Sequence, residues 1–208
     1  MSSTPQPQFH PGCPLENVLA TDTLAARPAR RPNSETESQA LITLAQALAK
    51  SPQDFFQKLV ESALRLSGAD STGISLLDEA QQRFVWPAVA GPLNVYLGGG
   101  TPSNFGPCGT VLERNTALLF AHPERYYTYL EPIRPPLEEV LLVPFYLSGR
   151  AVGTIWAVIH QAGHQFDAED KRLLQSLSDF AASAYKTLAE TGAIQPLLQR
   201  KYPQYPQP

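Results

Sequence analysis

The chain has few cysteines, no excess of positive charge and no long apolar run. Each absence removes a class of protein. Cys13 and Cys108 are the 2 cysteines in 208 residues, far apart and in unlike surroundings. They make no disulfide framework, so the fold must be held by burial. Lys and Arg total 16 against 19 Asp and Glu, a net charge of −3. No basic field is present to draw nucleic acid or an anionic membrane. No apolar stretch approaches the roughly 18 residues of a membrane helix. The first residues are Ser, Thr, Pro and Gln, with no basic start or apolar run, so no signal peptide is expected. These absences point to a soluble, cytoplasmic protein with neither membrane nor nucleic acid as partner.

What is present suits one domain with tails. The hydrophobic fraction is 43%, enough for a proper core. Proline is abundant, with 20 residues, and gathers at both ends. Proline fixes φ and lacks a donor, so both ends are expected to be irregular. The division is a proline-rich, extended leader over 1–33, a domain over 34–191 and a proline-rich tail over 192–208. Within the leader, Leu15, Val18, Leu19 and Leu24 form a small apolar cluster that could dock on the domain.

Helical spacing starts at Ser34, with Ser34 and Glu37 as a capping box and Leu41, Leu44, Ala45 and Leu48 on one face. Ser51-Pro52 restarts the helix, which runs to Gly68 with a broad apolar face from Phe55 to Leu66. Ser71–Leu77 and Arg83–Val89 alternate as an antiparallel strand pair, with Ile74 and Leu76 on one face. Gly91–Asn104 is a glycine-rich loop, read as a lid or turn. Its Gly98-Gly99-Gly100 run lacks the spacing and lysine of a phosphate-binding loop. Pro107–Arg114 is a short helix and Leu118–Phe120 an edge strand. Val140–Leu147 and Ala151–His160 are strands joined at Ser148-Gly149, with Pro144 at a bulge or unpaired edge position. The acidic run Asp167 to Asp170 opens a long helix with Leu173, Leu174, Leu177, Phe180, Ala181, Ala184 and Leu188 on one face. Gly192 and Pro196 stop it.

Together, these stretches resemble the GAF domain family from about Ala40 to Leu188. The resemblance rests on Ser71–Leu77, Phe105–Asn115, Leu142–Gly149 continuing into Val152-Gly153-Thr154-Ile155-Trp156, and Phe166–Phe180. It is nearest to GAF modules beside bacterial sensor histidine kinases. The resemblance implies an α+β fold. A twisted antiparallel sheet of about five or six strands would carry the terminal helices on one face. Loops and short helices would cover a pocket on the other. It implies a small-molecule-sensing or regulatory module in bacterial signal transduction, without its own output domain. The implied partners are a small-molecule ligand, a histidine kinase or other signalling protein, and a second copy of the chain. The homodimer would use Ser34–Lys50 and Asp167–Glu190, with Leu48 and Ala184 at the contact.

The candidate ligand contacts are Trp86, Phe105, Cys108, His122, Arg125, Tyr126, Tyr127 and Trp156. Cys108 opens a helix, where the dipole lowers a thiol's pKa and sharpens its nucleophilicity. Packing as a small residue is its plainer role. Cys108-Gly109-Thr110 resembles a motif of the free methionine-R-sulfoxide reductases, but their partner cysteines are missing, so no enzymatic activity is expected; a thiol-dependent reductase of that kind and a structural dimerisation domain are the alternatives. Gly109 stands where bilin-type GAF domains usually carry a histidine, which argues against a covalent bilin and leaves the cofactor unknown. Arg125 could clamp an anionic group beside His122, while Tyr126 and Tyr127 stack on a flat ring. Their plainer role is to cover the sheet. Trp86 and Trp156 lie in strands, where core packing is the usual role. His160 and His164 have no third ligand nearby, so zinc is not expected.

Overall fold

The computed structural model describes residues 11–199. Five helices and six strands follow in chain order. They are α1 (Ser34–Lys50), α2 (Phe55–Leu66), β1 (Ser71–Asp78), β2 (Arg83–Ala90), β3 (Gly100–Pro102), α3 (Pro107–Arg114), β4 (Leu118–Ala121), β5 (Glu139–Leu147), β6 (Arg150–Ile159), α4 (Ala168–Glu190) and α5 (Ile194–Gln199). The strands form one antiparallel sheet in the order β3-β2-β1-β6-β5-β4.

Period-two alternation sorts the strand residues between two cores. Ile74, Leu76, Leu141, Val143, Ile155, Ala157 and Ile159 pack with α1, α2, α4 and α5. Trp86, Val140, Leu142, Trp156 and Val158 face the other way, towards α3 and irregular chain. This is the α+β arrangement expected, with the terminal helices on one face.

Local chemistry explains most boundaries, with some changes from the sequence reading. Asn33, not Ser34, caps α1, its side chain accepting from Thr36 N at 3.1 Å. Pro52–Asp54 is a 3-10 turn before α2, and Ser51 makes no side-chain cap. Asp167 and Asp170 form a reciprocal capping box at α4. Ser148 and Gly149 both have positive φ, 51° and 80°, as a tight hairpin requires. Pro144 lies beyond Leu142, where β4 has ended, so its missing N–H faces no β4 partner. The loop expected over 91–104 instead contains a 3-10 turn at Pro92–Tyr96 and the edge strand β3.

Residues 11–33 dock on the domain, as their apolar cluster allowed, and contain two 3-10 turns where extended chain was expected. Val18 and Leu24 are buried. Ala20 N donates to Leu119 O and Ala121 N to Val18 O, which covers the outer edge of β4. Arg27 reaches Glu139 through both guanidinium nitrogens, at 2.9 and 2.7 Å, and also donates to Phe166 O at 2.7 Å. Arg30 pairs with Asp170 at 2.5 Å, and its backbone N–H donates to Asp167 at 2.8 Å. Beyond Gly192 the chain forms α5, with Ile194 buried, although Pro196 suggested a stop. The tail from 200 lies outside the described residues. Ala184, expected to face a second copy, is wholly buried in the helix-side core.

Candidate functional site

The sheet face opposite the long helices has only short or irregular elements over it. Irregular chain packs less fully than a helix, and a cavity remains there. It leaves about 50 Å³ in which the centre of a water molecule can sit, room for several waters or one small organic molecule. Trp86, Leu142, Trp156 and Val158 supply the sheet wall. Pro107 and Cys108 enter from α3, Thr101 from β3 and Leu93 from the turn after β2. Pro123, Leu130, Ile133 and Leu137 form the cover. The wall contains no Asp, Glu, Lys, Arg or His.

Two features of β1 and β6 shape the floor. Gly73 stands directly opposite Trp156, and a Cβ there would run into the indole ring. The missing side chain lets Trp156 lie over β1, at 5.7 Å centroid distance and 63° from the Trp86 ring. Trp156 Nε1 then donates to Ser75 Oγ at 3.1 Å. Cys108 donates to the same oxygen at 3.3 Å, and Thr154 Oγ1 donates to Cys108 Sγ at 3.4 Å. The thiol is thus tied to both central strands.

Burial pushes the Cys108 thiol up from its ordinary value of 9.0, against the contrary pull of the Ser75, Thr154 and Thr101 hydroxyls. The helix-start position therefore does not yield the lowered pKa expected from the dipole alone. At neutral pH the group is a protonated thiol.

The remaining sequence candidates separate from this cavity. Tyr127 is fully buried, its hydroxyl 2.6 Å from Thr110 Oγ1, and burial raises its pKa. It stacks edge-on with Phe105 at 5.2 Å and with Tyr126 at 4.7 Å. This aromatic group, packed with Cys13 and Leu15, holds the leader and α3 to the domain. Arg125 is exposed. His122 adopts φ 50° and sits 3.5 Å from Glu124 and 3.7 Å from Glu138. Thus Trp86, Cys108 and Trp156 line the cavity, while Phe105, His122, Arg125, Tyr126 and Tyr127 do not. Pro123 opens a 3-10 turn that runs to Arg125, and Tyr126 and Tyr127 come after it, in the aromatic group. Sequence reasoning missed Ser75 and Thr154. Their signal was alternation, which puts both on the Trp156 side of the sheet. It also missed the cover at Leu130–Leu137, marked by Pro132, Pro135 and Pro136. Among the described residues no His, Cys, Asp and Glu group is suited to a metal, and no helix is long and apolar enough to cross a membrane.

The profile of the GAF domain matches residues 49–185, which hold the whole sheet, α2, α3 and most of α4. The chain belongs to the GAF domain family. A search of curated protein sequences finds no match. Among solved structures, the GAF domain of a phosphoenolpyruvate-protein phosphotransferase from Coxiella burnetii superposes with a TM-score of 0.64 at 18% identity, covering 78% of this chain and 99% of that one. The free methionine-R-sulfoxide reductase of Neisseria meningitidis, solved with its substrate, gives 0.63 at 16% identity, over 79% and 97%. The second GAF domain of DevS from Mycobacterium smegmatis gives 0.56 at 20% identity, over 69% and 99%. These likenesses establish the fold. They also correct the expectation that the protein is not an enzyme. A reductase fits as well as a phosphotransferase GAF domain, and Cys108 stands in the cavity wall, so that exclusion has no basis.

Proposed function

We propose that this GAF domain is a regulatory module of bacterial signal transduction that binds a small molecule between its sheet and the cover. The observation that carries this reading is the cavity itself. Two tryptophans and a thiol face an irregular cover across unfilled space. Such a concavity, mainly apolar with few polar groups, is the usual form of a ligand site.

Two links could pass occupancy to α4. Gly12 N donates to Tyr126 O, and Arg30 in the same leader binds Asp167 and Asp170 at the start of α4. Separately, His160 Nδ1 lies 2.7 Å from Pro136 O in the cover. A ligand shifts such a system only if it binds two states unequally. The partners in this reading are a signalling protein such as a histidine kinase and a second copy of the chain, the latter tested by ultracentrifugation.

Native mass spectrometry of protein purified from its own cells tests for the ligand. The expected result is a bound mass that is lost in Val158→Phe, which fills the cavity. Hydrogen exchange should then show ligand protection at 130–137 and a change in α4. Protein that carries no ligand, with Val158→Phe unchanged in every binding assay, would refute the reading.

Cys108 favours a second reading, a thiol reductase of free methionine-R-sulfoxide. The sulfoxide oxygen would pass to the Cys108 sulfur, leaving methionine and a sulfenic acid, which an added dithiol would reduce. Cys13, half-buried in the same cluster, is the other thiol of the chain. Methionine release with dithiothreitol, abolished by Cys108→Ser, would support it. No turnover in the wild type would end it.

A further inference from the structure

We propose that the cavity takes an uncharged, hydrocarbon-like molecule that makes no hydrogen bond to its wall. This rests on the ligand-binding reading above and names the class of ligand.

No nitrogen or oxygen atom forms part of the cavity surface, and no ionic side chain lines it. The polar side chains at the floor are spent on one another. Trp156 Nε1 and the Cys108 thiol both donate to Ser75 Oγ, and Thr154 Oγ1 donates to Cys108 Sγ. Ser75 and Thr154 are wholly buried. The Thr101 hydroxyl faces the same sulfur and has no surface open to the cavity.

Water in such a space finds no polar partners, so the space is dry. A carboxylate, phosphate or ammonium would lose its hydration without a countercharge, and a neutral hydroxyl or amide would lose its hydrogen bonds for nothing in return. The zwitterionic substrate of the reductase reading is disfavoured by the same wall. A hydrocarbon has no such loss. It gains the dispersion contacts with Trp86, Leu142, Trp156 and Val158 that an empty space forfeits.

The cover allows entry. Pro132, Pro135 and Pro136 carry no N–H, so the segment 131–137 lacks the donors for a ladder with the sheet. Side chains fasten it at the rim instead. Tyr96 Oη accepts from Arg134 N at 2.9 Å, and His160 Nδ1 lies 2.7 Å from Pro136 O.

The test uses the full chain at pH 7 and four probes built on one ring: toluene, phenol, benzoate and benzylammonium. The 2 tryptophans of the chain both line the cavity, so their assigned indole N–H resonances report its occupancy. Toluene should shift both and bind about tenfold or more tightly than phenol, which has the same shape but must leave its hydroxyl unbonded. The two ions should leave the indoles unmoved. Val158→Phe, or Leu137→Trp from the cover should the first not fold, should abolish the toluene shifts. Phenol or either ion binding at the indoles as tightly as toluene overturns the inference and leaves the cavity reading standing. Toluene shifts that persist in the folded filling variants, or that never occur, overturn it as well; the native mass of the purified protein then decides the cavity reading separately.

Discussion

Removing Arg27 should cost far more than its place in a leader suggests. Its guanidinium grips both oxygens of Glu139, at 2.9 and 2.7 Å, and one of its nitrogens also donates to Phe166 O. The side chains are only 14% and 7% exposed, so solvent screens the pair little. Arg27→Met leaves the Glu139 carboxylate buried, with Phe166 N at 2.9 Å as its remaining donor. Breaking a buried pair on one side costs about 3–5 kcal/mol, because the other charge stays behind without compensation. With a slope of about 2 kcal/mol per molar urea, the unfolding midpoint should fall by about 2 M. The double variant Arg27→Met with Glu139→Gln should recover roughly half of that loss, since Gln keeps an acceptor for Phe166 and carries no charge. Trypsin should cut the single variant faster after Arg30, because the leader has lost its main anchor; the Arg31–Pro32 bond resists the enzyme in either form. A single-variant cost below about 1 kcal/mol, or a double variant as costly as the two singles added, would refute the reasoning.

Cys13 should react with iodoacetamide within minutes at pH 8 while Cys108 stays unmodified until the protein unfolds; equal rates would contradict the buried, raised-pKa thiol. Because the folded thiol's pKa lies above 9.0, its stabilising effect is complete below pH 9 and is lost as pH rises through the folded value. Wild type should therefore lose more stability than Cys108→Ala above pH 9, measured by urea titration. Asp167 is buried enough to raise its pKa, but N–H bonds from Arg30, Asp170 and Glu169 and the Arg30 charge hold it below 3.8. Asp167→Ala should cost about 1–2 kcal/mol at pH 7, a difference that disappears as pH falls through the folded value below 3.8. Gly73→Ala should destabilise by about 1–3 kcal/mol and shift tryptophan fluorescence, because the new methyl displaces Trp156 from Ser75; an unchanged spectrum would count against that packing.

Much of the fold was legible because its causes are local. Alternation in Ser71–Leu77 placed Ile74 and Leu76 on one face, and the acidic start of α4 located its cap. Pro107–Arg114 was read as a helix with the same bounds that the structure has. The site was less legible, because a cavity is made by segments distant in sequence. Trp86 and Trp156 could be picked as aromatic groups in strands, and Cys108 as a thiol at a helix start. Nothing in one dimension announced that Thr101, on a three-residue edge strand, would face Cys108, or that Leu130–Leu137 would close the cover. Tyr126 and Tyr127 follow Pro123 closely in sequence yet pack with Phe105 and away from the cavity wall, on the far side of the 3-10 turn Pro123–Arg125. The same limit applied to Cys108. Its helix-start position pointed to a lowered pKa, while burial raised it against the pull of three hydroxyls. Periodicity and capping depend on neighbours a few residues away, so the sequence alone determined the order of the longer elements and the family, though not β3 or α5. Burial, hydrogen-bond completion and the docking of the leader depend on residues up to a hundred or more positions apart, as with Arg27 and Glu139, and only the tertiary structure decided them.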